Sequence, residues 1–226
     1  MTEASSAYRG GRERISEIAS DTPDEALSRM VPACPDWTVR DLLAHLVGVA
    51  EDFAAGNFEN AGSEGWTSSQ IARRSEMMVP ALVEEWRVIS EPMEQMLDQI
   101  PPGPTSLLIG DLVSHEHDLR GALDRPGARA SEAVWIGLDR YVRWFGKRIK
   151  DAGLPSVTIR SGDRRWQAGV LEPAVELEGD AFELLRALTG RRTAEEVASL
   201  RWTGDAGPYL ELVSTYAPAN LSLEES

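Results

Sequence analysis

Three histidines occur in the 226 residues, His45, His115 and His117, and the neighbours of two of them suggest metal chemistry. His45 falls between Leu42 and Val49 on the apolar stripe of a helical repeat. An imidazole buried in such a stripe must find a partner, because an unsatisfied polar group costs about 1–3 kcal/mol. Further along, Leu108, Asp111, Leu112, His115, Leu119 and Ala122 form a second stripe. Asp111 and His115 are one helical turn apart in it. A carboxylate and an imidazole at that spacing can chelate one divalent ion, as the two histidines of HExxH do. A carboxylate alone among apolar neighbours is costly, and a cation relieves the cost. His45 on a facing helix would supply the third ligand, since helical bundles build metal sites from side chains on facing helices. Spacing leaves a second reading open: a buried Asp–His hydrogen bond without metal, with His45 satisfied by a carbonyl or carboxylate.

His117 follows His115 by two residues, a step that turns an α-helix by about 200°. It is therefore expected at the surface or behind the ligands rather than among them. Asp118, three residues beyond His115, is placed to orient that imidazole. Asp118 and Arg120 are also candidates for outer ion pairs.

These residues need helices to hold them, and up to about Gly153 the pattern is helical. Ser5 to Ala19 reads as a mostly polar amphipathic helix and Asp24 to Met30 as a second piece, with a turn-rich stretch from Val31 to Trp37. Thr38 is an N-cap with Asp41 as its acidic capping-box partner. The helix it opens carries Leu42, His45, Leu46, Val49 and Phe53 on one face and stops near Gly56. Residues 57–66 read as a loop. Ile71, Met78, Leu82, Trp86, Ile89, Met93, Met96 and Ile100 then recur at helical steps. Pro80 and Pro92 interrupt them, which predicts a kinked helix or two abutting ones. Pro101 to Pro104 breaks the chain, and helices follow from about Thr105 to Leu123 and from Ser131 to Ala152.

After Gly153 the period changes. Val157 to Arg160, Trp166 to Val170 and Ala174 to Glu178 alternate as strands do. Asp180 opens a helix that Gly190 stops, Thr193 and Glu196 form another capping box, and Tyr209 to Tyr216 closes the pattern with a helix. The expected fold class is α+β: a helical bundle over residues 1–153 and a small α/β domain over residues 154–226.

Composition narrows the function. A net charge of -14 repels phosphate backbones and argues against a nucleic-acid partner. A single cysteine, Cys34, excludes an intramolecular disulfide and a CxxC zinc or redox site, and fits a reducing compartment. No apolar stretch makes a secretory signal, and none reaches the roughly 18 residues of a membrane span. The expectation is a soluble cytoplasmic protein without nucleic-acid or membrane partners, as a monomer or homodimer.

The stretch from Cys34 to Leu46, CPDWTVRDLLAHL, entered through Val31-Pro-Ala33, resembles the CPxWTVxDLxAHL signature of the DinB-like, mycothiol-dependent maleylpyruvate isomerase family. Asp111 to Leu119, DLVSHEHDL, resembles its second signature: an acidic residue, three spacers, His, two spacers and Asp-Leu. Glu178 to Arg191 resembles the C-terminal domain that often follows. The resemblance implies an up-and-down four-helix bundle with a three-ligand metal site, carried over onto His45, Asp111 and His115. Asp111 stands where the isomerase has glutamate, a change that shortens the ligand by one methylene. Zinc is the family's usual metal, and two imidazoles with one carboxylate suit it, with nickel, iron and manganese as alternatives. Three ligands leave a position open, as in catalytic sites. The resemblance implies that mycothiol enters there and is held as a thiolate. It would then attack a small electrophile, either isomerising a cis alkene by addition, rotation and elimination or forming an S-conjugate.

Other residues read as structural. Cys34 precedes a helix N-terminus but has no histidine near it in sequence, and single cysteines mostly pack in cores. Trp37 reads as a packing anchor, and Trp86, Trp135 and Trp144 as core or half-buried positions. Arg73-Arg74 and Arg164-Arg165 are basic pairs that could meet an anionic substrate but read first as solvated surface, and Gly190-Arg-Arg192 reads as a helix stop. Two rivals to an enzyme are carried: a non-catalytic metal- or ligand-binding protein of the same fold, and a structural metal site capped by Glu116 or His117.

Overall fold

The computed structural model describes residues 3–97, 99–223 and 225. They divide into two compact units, the first running to Gly127 and the second starting at Ala128. No helix among the described residues is long and apolar enough to cross a membrane.

The first unit contains α1 (Glu3–Ser20), the hairpin β1 (Met30–Val31) and β2 (Cys34–Thr38), α2 (Val39–Ala55), α3 (Glu64–Ala72), α4 (Val79–Leu97) and α5 (Pro102–Ala122). α1 and α2 each pack against both α4 and α5. The four therefore form the expected bundle with α1 and α2 at opposite corners, around Ile15, Leu42, Leu82, Trp86, Leu97, Ile109 and Leu112. α1 reads as polar because two of its interfaces are ionic. Glu94 of α4, 1% exposed, accepts from Arg9 at 2.6 Å and Arg12 at 2.9 Å. Glu116 of α5, fully buried, takes a bidentate grip from Arg14 at 2.8 and 2.7 Å. Buried charges of this kind are tolerated only when paired and hydrogen-bonded.

α2 begins as the sequence predicts. Thr38 and Asp41 close a full capping box, and Gly56 ends the helix in the left-handed region at φ 69. The periodic stretch that follows resolves into two helices. α3 starts inside the expected loop, capped by Ser63, and ends at Ala72. α4 carries Pro80 in its first turn, where a missing N–H matters little, and continues through Pro92. The turn-rich stretch before Thr38 is a short antiparallel hairpin, which packs on α2 and α5.

The second unit opens with α6 (Glu132–Asp151), followed by β3 (Ser156–Ser161), β4 (Arg164–Ala168), β5 (Pro173–Glu178), α7 (Ala181–Leu188), α8 (Ala194–Ala198), β6 (Arg201–Thr203) and α9 (Leu210–Val213). The sheet order is β4-β3-β5-β6, with β3 and β5 parallel and the outer pairs antiparallel. The sequence groups α6 with the bundle up to Gly153, whereas its packing is against α7 and the strands β3 and β4. Its buried face, Val134, Leu138, Val142, Phe145 and Ile149, meets that layer. At Gly146 an added Cβ would lie 2.8 Å from the backbone nitrogen of Gly169. Helical periodicity identifies a buried face but not what covers it. β6 was not foreseen, and the last helix is shorter than the expected 209–216.

Candidate metal centre

α2 and α5 pack together and bring His45 and His115 to a ring-centroid distance of 5.1 Å, with planes at 82°. Asp111 lies against both. Its Oδ2 is 3.7 Å from His45 Nε2 and its Oδ1 is 3.6 Å from His115 Nε2. Both separations exceed a hydrogen bond, so the Asp111–His115 hydrogen bond left open by the spacing is not formed. Two ligands about 2.1 Å from a tetrahedral ion lie about 3.4 Å apart, so the observed separations suit joint ligation. Ligand atoms of all three residues lie within 4.8 Å of one another. His45 and His115 are buried, while the Asp111 side chain is 24% exposed and gives the cluster its solvent-facing side.

The far nitrogen of each imidazole is occupied. His115 Nδ1 lies 3.0 Å from Asp118 Oδ2, as the three-residue spacing predicts. A carboxylate only accepts, so Nδ1 of the neutral ring carries the proton and Nε2 keeps its lone pair toward Asp111. His45 Nδ1 lies 2.8 Å from Gln70 Oε1 on α3. The sequence gives no sign of this partner, because the start of α3 lies in the stretch that reads as loop. Trp37, at the end of the hairpin, does more than anchor the helix start. Its ring lies 4.8 Å from His45 and 5.6 Å from His115, centroid to centroid, and covers both imidazoles. Trp66 of α3 meets His45 edge-on at 6.4 Å.

Cys34 Sγ donates to Asp118 Oδ2 at 3.6 Å. Its neighbour is thus a carboxylate, where an activated thiolate needs positive surroundings. Cys34, His115 and Asp118 also approach closely enough to share an ion. That trio would use His115 Nδ1 and Asp118, which already bond each other, so the cluster around Asp111 is the better candidate.

Several expectations change. Of the two places open to His117, the surface is excluded: it is 4% exposed, because α5 is covered on nearly every side from Thr105 to Leu119. Neither His117 nor Glu116 belongs to a ligand cluster among the described residues. Glu116 is committed to Arg14 and to Arg120, which reaches it at 2.9 Å. Arg74, read as solvated, is buried between Glu51 at 3.1 Å and Glu85 at 2.7 Å. Arg191 and Arg192 are buried too, and Arg164 stacks 4.4 Å from the Trp135 ring centre.

Comparison with known proteins agrees with this architecture. Two crystal structures share the fold: the mycothiol-dependent maleylpyruvate isomerase, and a histidine-to-alanine mutant of it. The first has a TM-score of 0.55 and 14% identity, covering 84% of this chain and 88% of that one. The mutant has a TM-score of 0.54 and 14% identity over 83% and 88%. At that identity the likeness is one of fold. No curated protein matches the chain in sequence. The family model described as the mycothiol maleylpyruvate isomerase N-terminal domain matches residues 8–134, more than half the chain and the whole of the candidate centre. The chain therefore belongs to the mycothiol maleylpyruvate isomerase N-terminal domain family, a family named for an enzyme.

Proposed function

We propose that the protein is a metal-dependent enzyme that uses mycothiol, or a similar low-molecular-weight thiol, on a small electrophile. The reaction is cis–trans isomerisation of an activated alkene or S-transfer. His45, Asp111 and His115 are the proposed ligands of a divalent ion, zinc first among the alternatives, and the proposed location is the cytoplasm. One observation carries the reading: a carboxylate lies 3.6–3.7 Å from two imidazole Nε2 atoms, beyond hydrogen bonding and at the spacing of ligands on one ion. Membership of a family named for a mycothiol-dependent isomerase supports the choice of thiol and reaction class.

The donor set fits the proposed ion. Two neutral imidazoles and one carboxylate suit zinc and leave a position for an exogenous group. When bound there, the ion supplies a Lewis acid that acidifies the thiol cosubstrate. The chain's own residues do the rest. Asp111 contributes the negative charge of the set and faces solvent, so substrates arrive on its side. Asp118 and Gln70 hold the imidazoles in place through Nδ1. Trp37 lies against both rings and keeps water from that face.

The test is to strip the purified protein of metal, reload it with zinc, and assay mycothiol consumption against cis-alkene acids and alkylating electrophiles. About one zinc per chain with metal-dependent turnover is expected. Protein that takes up no metal overturns the site. Protein that loads zinc but turns over no electrophile is the non-catalytic binder of the same fold.

A further inference from the structure

Gln70 is the one residue of α3 that is fully buried, on a helix otherwise half-buried or exposed. A buried primary amide needs partners for both its ends. Its Nε2 donates to Asp52 Oδ2 at 2.6 Å, and its Oε1 lies 2.8 Å from His45 Nδ1. Asp52 is itself buried and fixed, accepting from Asn57 Nδ2 at 2.9 Å and lying 3.6 Å from Arg73. The order of these bonds decides which way the amide points. An ionised carboxylate accepts only, so the amide NH2 must face Asp52 and the carbonyl must face His45. The carbonyl in turn accepts only, so His45 must present Nδ1–H and keep its lone pair on Nε2.

A second observation, independent of the hydrogen bonds, points to the same contact. Gly48 lies three residues after His45 on α2, and so on the same face. A Cβ added there would stand 2.4 Å from Gln70 Cβ and 2.6 Å from its Cγ, with the Gln70 Cα at 3.2 Å. Glycine in a helix interior disfavours the helix relative to alanine. Its presence in the middle of α2 is explained by the approach of α3 that it permits.

We propose that Gly48, Gln70 and Asp52 form a positioning relay that selects the Nδ1–H form of His45 and aims its Nε2 lone pair at Asp111 and His115. The proposal rests on the metal reading above for its purpose, but the tautomer can be read without metal. The two imidazoles are thereby held by different means. His115 takes a carboxylate from its own helix, whereas His45 takes a neutral amide from a neighbouring helix, oriented by a charge one bond further out.

The experiment uses the full chain as wild type, Gln70→Met, Asp52→Asn and Gly48→Ala. Imidazole 15N shifts of the metal-free protein, above the imidazole titration range, report the tautomer. Competition with a chromophoric chelator reports zinc affinity, and thermal unfolding reports folding. Wild-type His45 is expected as the Nδ1–H form. Gln70→Met should give a mixture of forms and weaken zinc about 10–100-fold. Asp52→Asn, which leaves the amide free to reverse, should move both readouts the same way by less. Gly48→Ala should mix the tautomers without removing any polar group. Should Gln70→Met fail to fold, Asp52→Asn and Gly48→Ala carry the test. A wild-type His45 protonated on Nε2 overturns the relay. So does weaker zinc binding in the variants with the tautomer unchanged, which would make the contact merely structural. If the wild type binds no zinc, the functional reading fails while the tautomer shifts still decide the relay.

Discussion

Asp118 Oδ2 lies 3.0 Å from His115 Nδ1, and Cys34 Sγ reaches the same carboxylate oxygen at 3.6 Å. One fully buried carboxylate thus ties the β1–β2 hairpin to α5 at a proposed ligand. It fixes the ring by accepting from Nδ1, and its negative charge strengthens the donor power of Nε2. Asp118→Asn keeps an acceptor of similar shape and loses the charge. Zinc affinity should fall by about 10–100-fold, measured by chelator competition. Cys34→Ala, which removes only a thiol donor, should leave zinc affinity nearly unchanged. Equal affinity in Asp118→Asn and wild type would show that the carboxylate does not act on the ligand.

Asp111 separates ligation from scaffolding. Its side chain is 24% exposed and carries little of the core. Asp111→Ala should therefore fold with a melting temperature near wild type and bind zinc more weakly than any outer-partner variant, beyond the roughly 10–100-fold that such partners supply. Asp111→Glu keeps the carboxylate on a side chain one methylene longer and should still load metal. Full zinc occupancy in Asp111→Ala, by elemental analysis, would remove it from the ligand set.

Glu116 is next to His115 in sequence yet serves the opposite purpose. Fully buried, it pairs with Arg14 at 2.7 Å and Arg120 at 2.9 Å. Replacing it by Gln leaves two guanidinium groups without their countercharge, at a cost of about 3 kcal/mol. Urea unfolding should show that loss, while zinc stoichiometry stays as in wild type. Loss of zinc without loss of stability would instead support Glu116 as a capping ligand.

Tyr8 gives an alkaline signature. Burial pushes its phenol up to about 12, against the pull of hydrogen bonds from Ser90 and Trp86. In the unfolded chain it ionises near about 10. Between these values the folded protein holds a proton that the unfolded chain has lost, so stability falls as pH rises. The contribution is full below about pH 10 and is lost as pH rises through the folded value. Tyr8→Phe should flatten that part of the stability–pH curve. At neutral pH it should cost about 1–3 kcal/mol, because Trp86 Nε1 loses the acceptor it has at 3.0 Å. An unchanged alkaline slope would mean that Tyr8 ionises as freely in the folded protein.

What was legible in the sequence was local. The capping boxes Thr38/Asp41 and Thr193/Glu196 form as written, and Gly56 ends α2, because each depends on residues a few positions apart. The same holds for Asp111, His115 and Asp118, whose spacing on one helix dictates that they meet. The family signatures placed His45 with them.

What only the tertiary structure decided lies in contacts between elements. Of the two places open to His117, the surface or behind the ligands, the surface is ruled out because α5 is covered nearly all round there. Arg74 looks solvated in sequence and Glu116 looks available as a capping ligand, yet both are buried in ion pairs. Gln70 and Gly48 carry no sequence signal of their own, and Trp37 reads there only as a packing anchor within the first signature. They matter because α3 and the hairpin close on the two imidazoles at distances that no local pattern encodes. Backbone geometry over a turn or two follows from the sequence directly. The partner of a buried polar group is set by packing among distant segments, and there the orientation of His45 was decided.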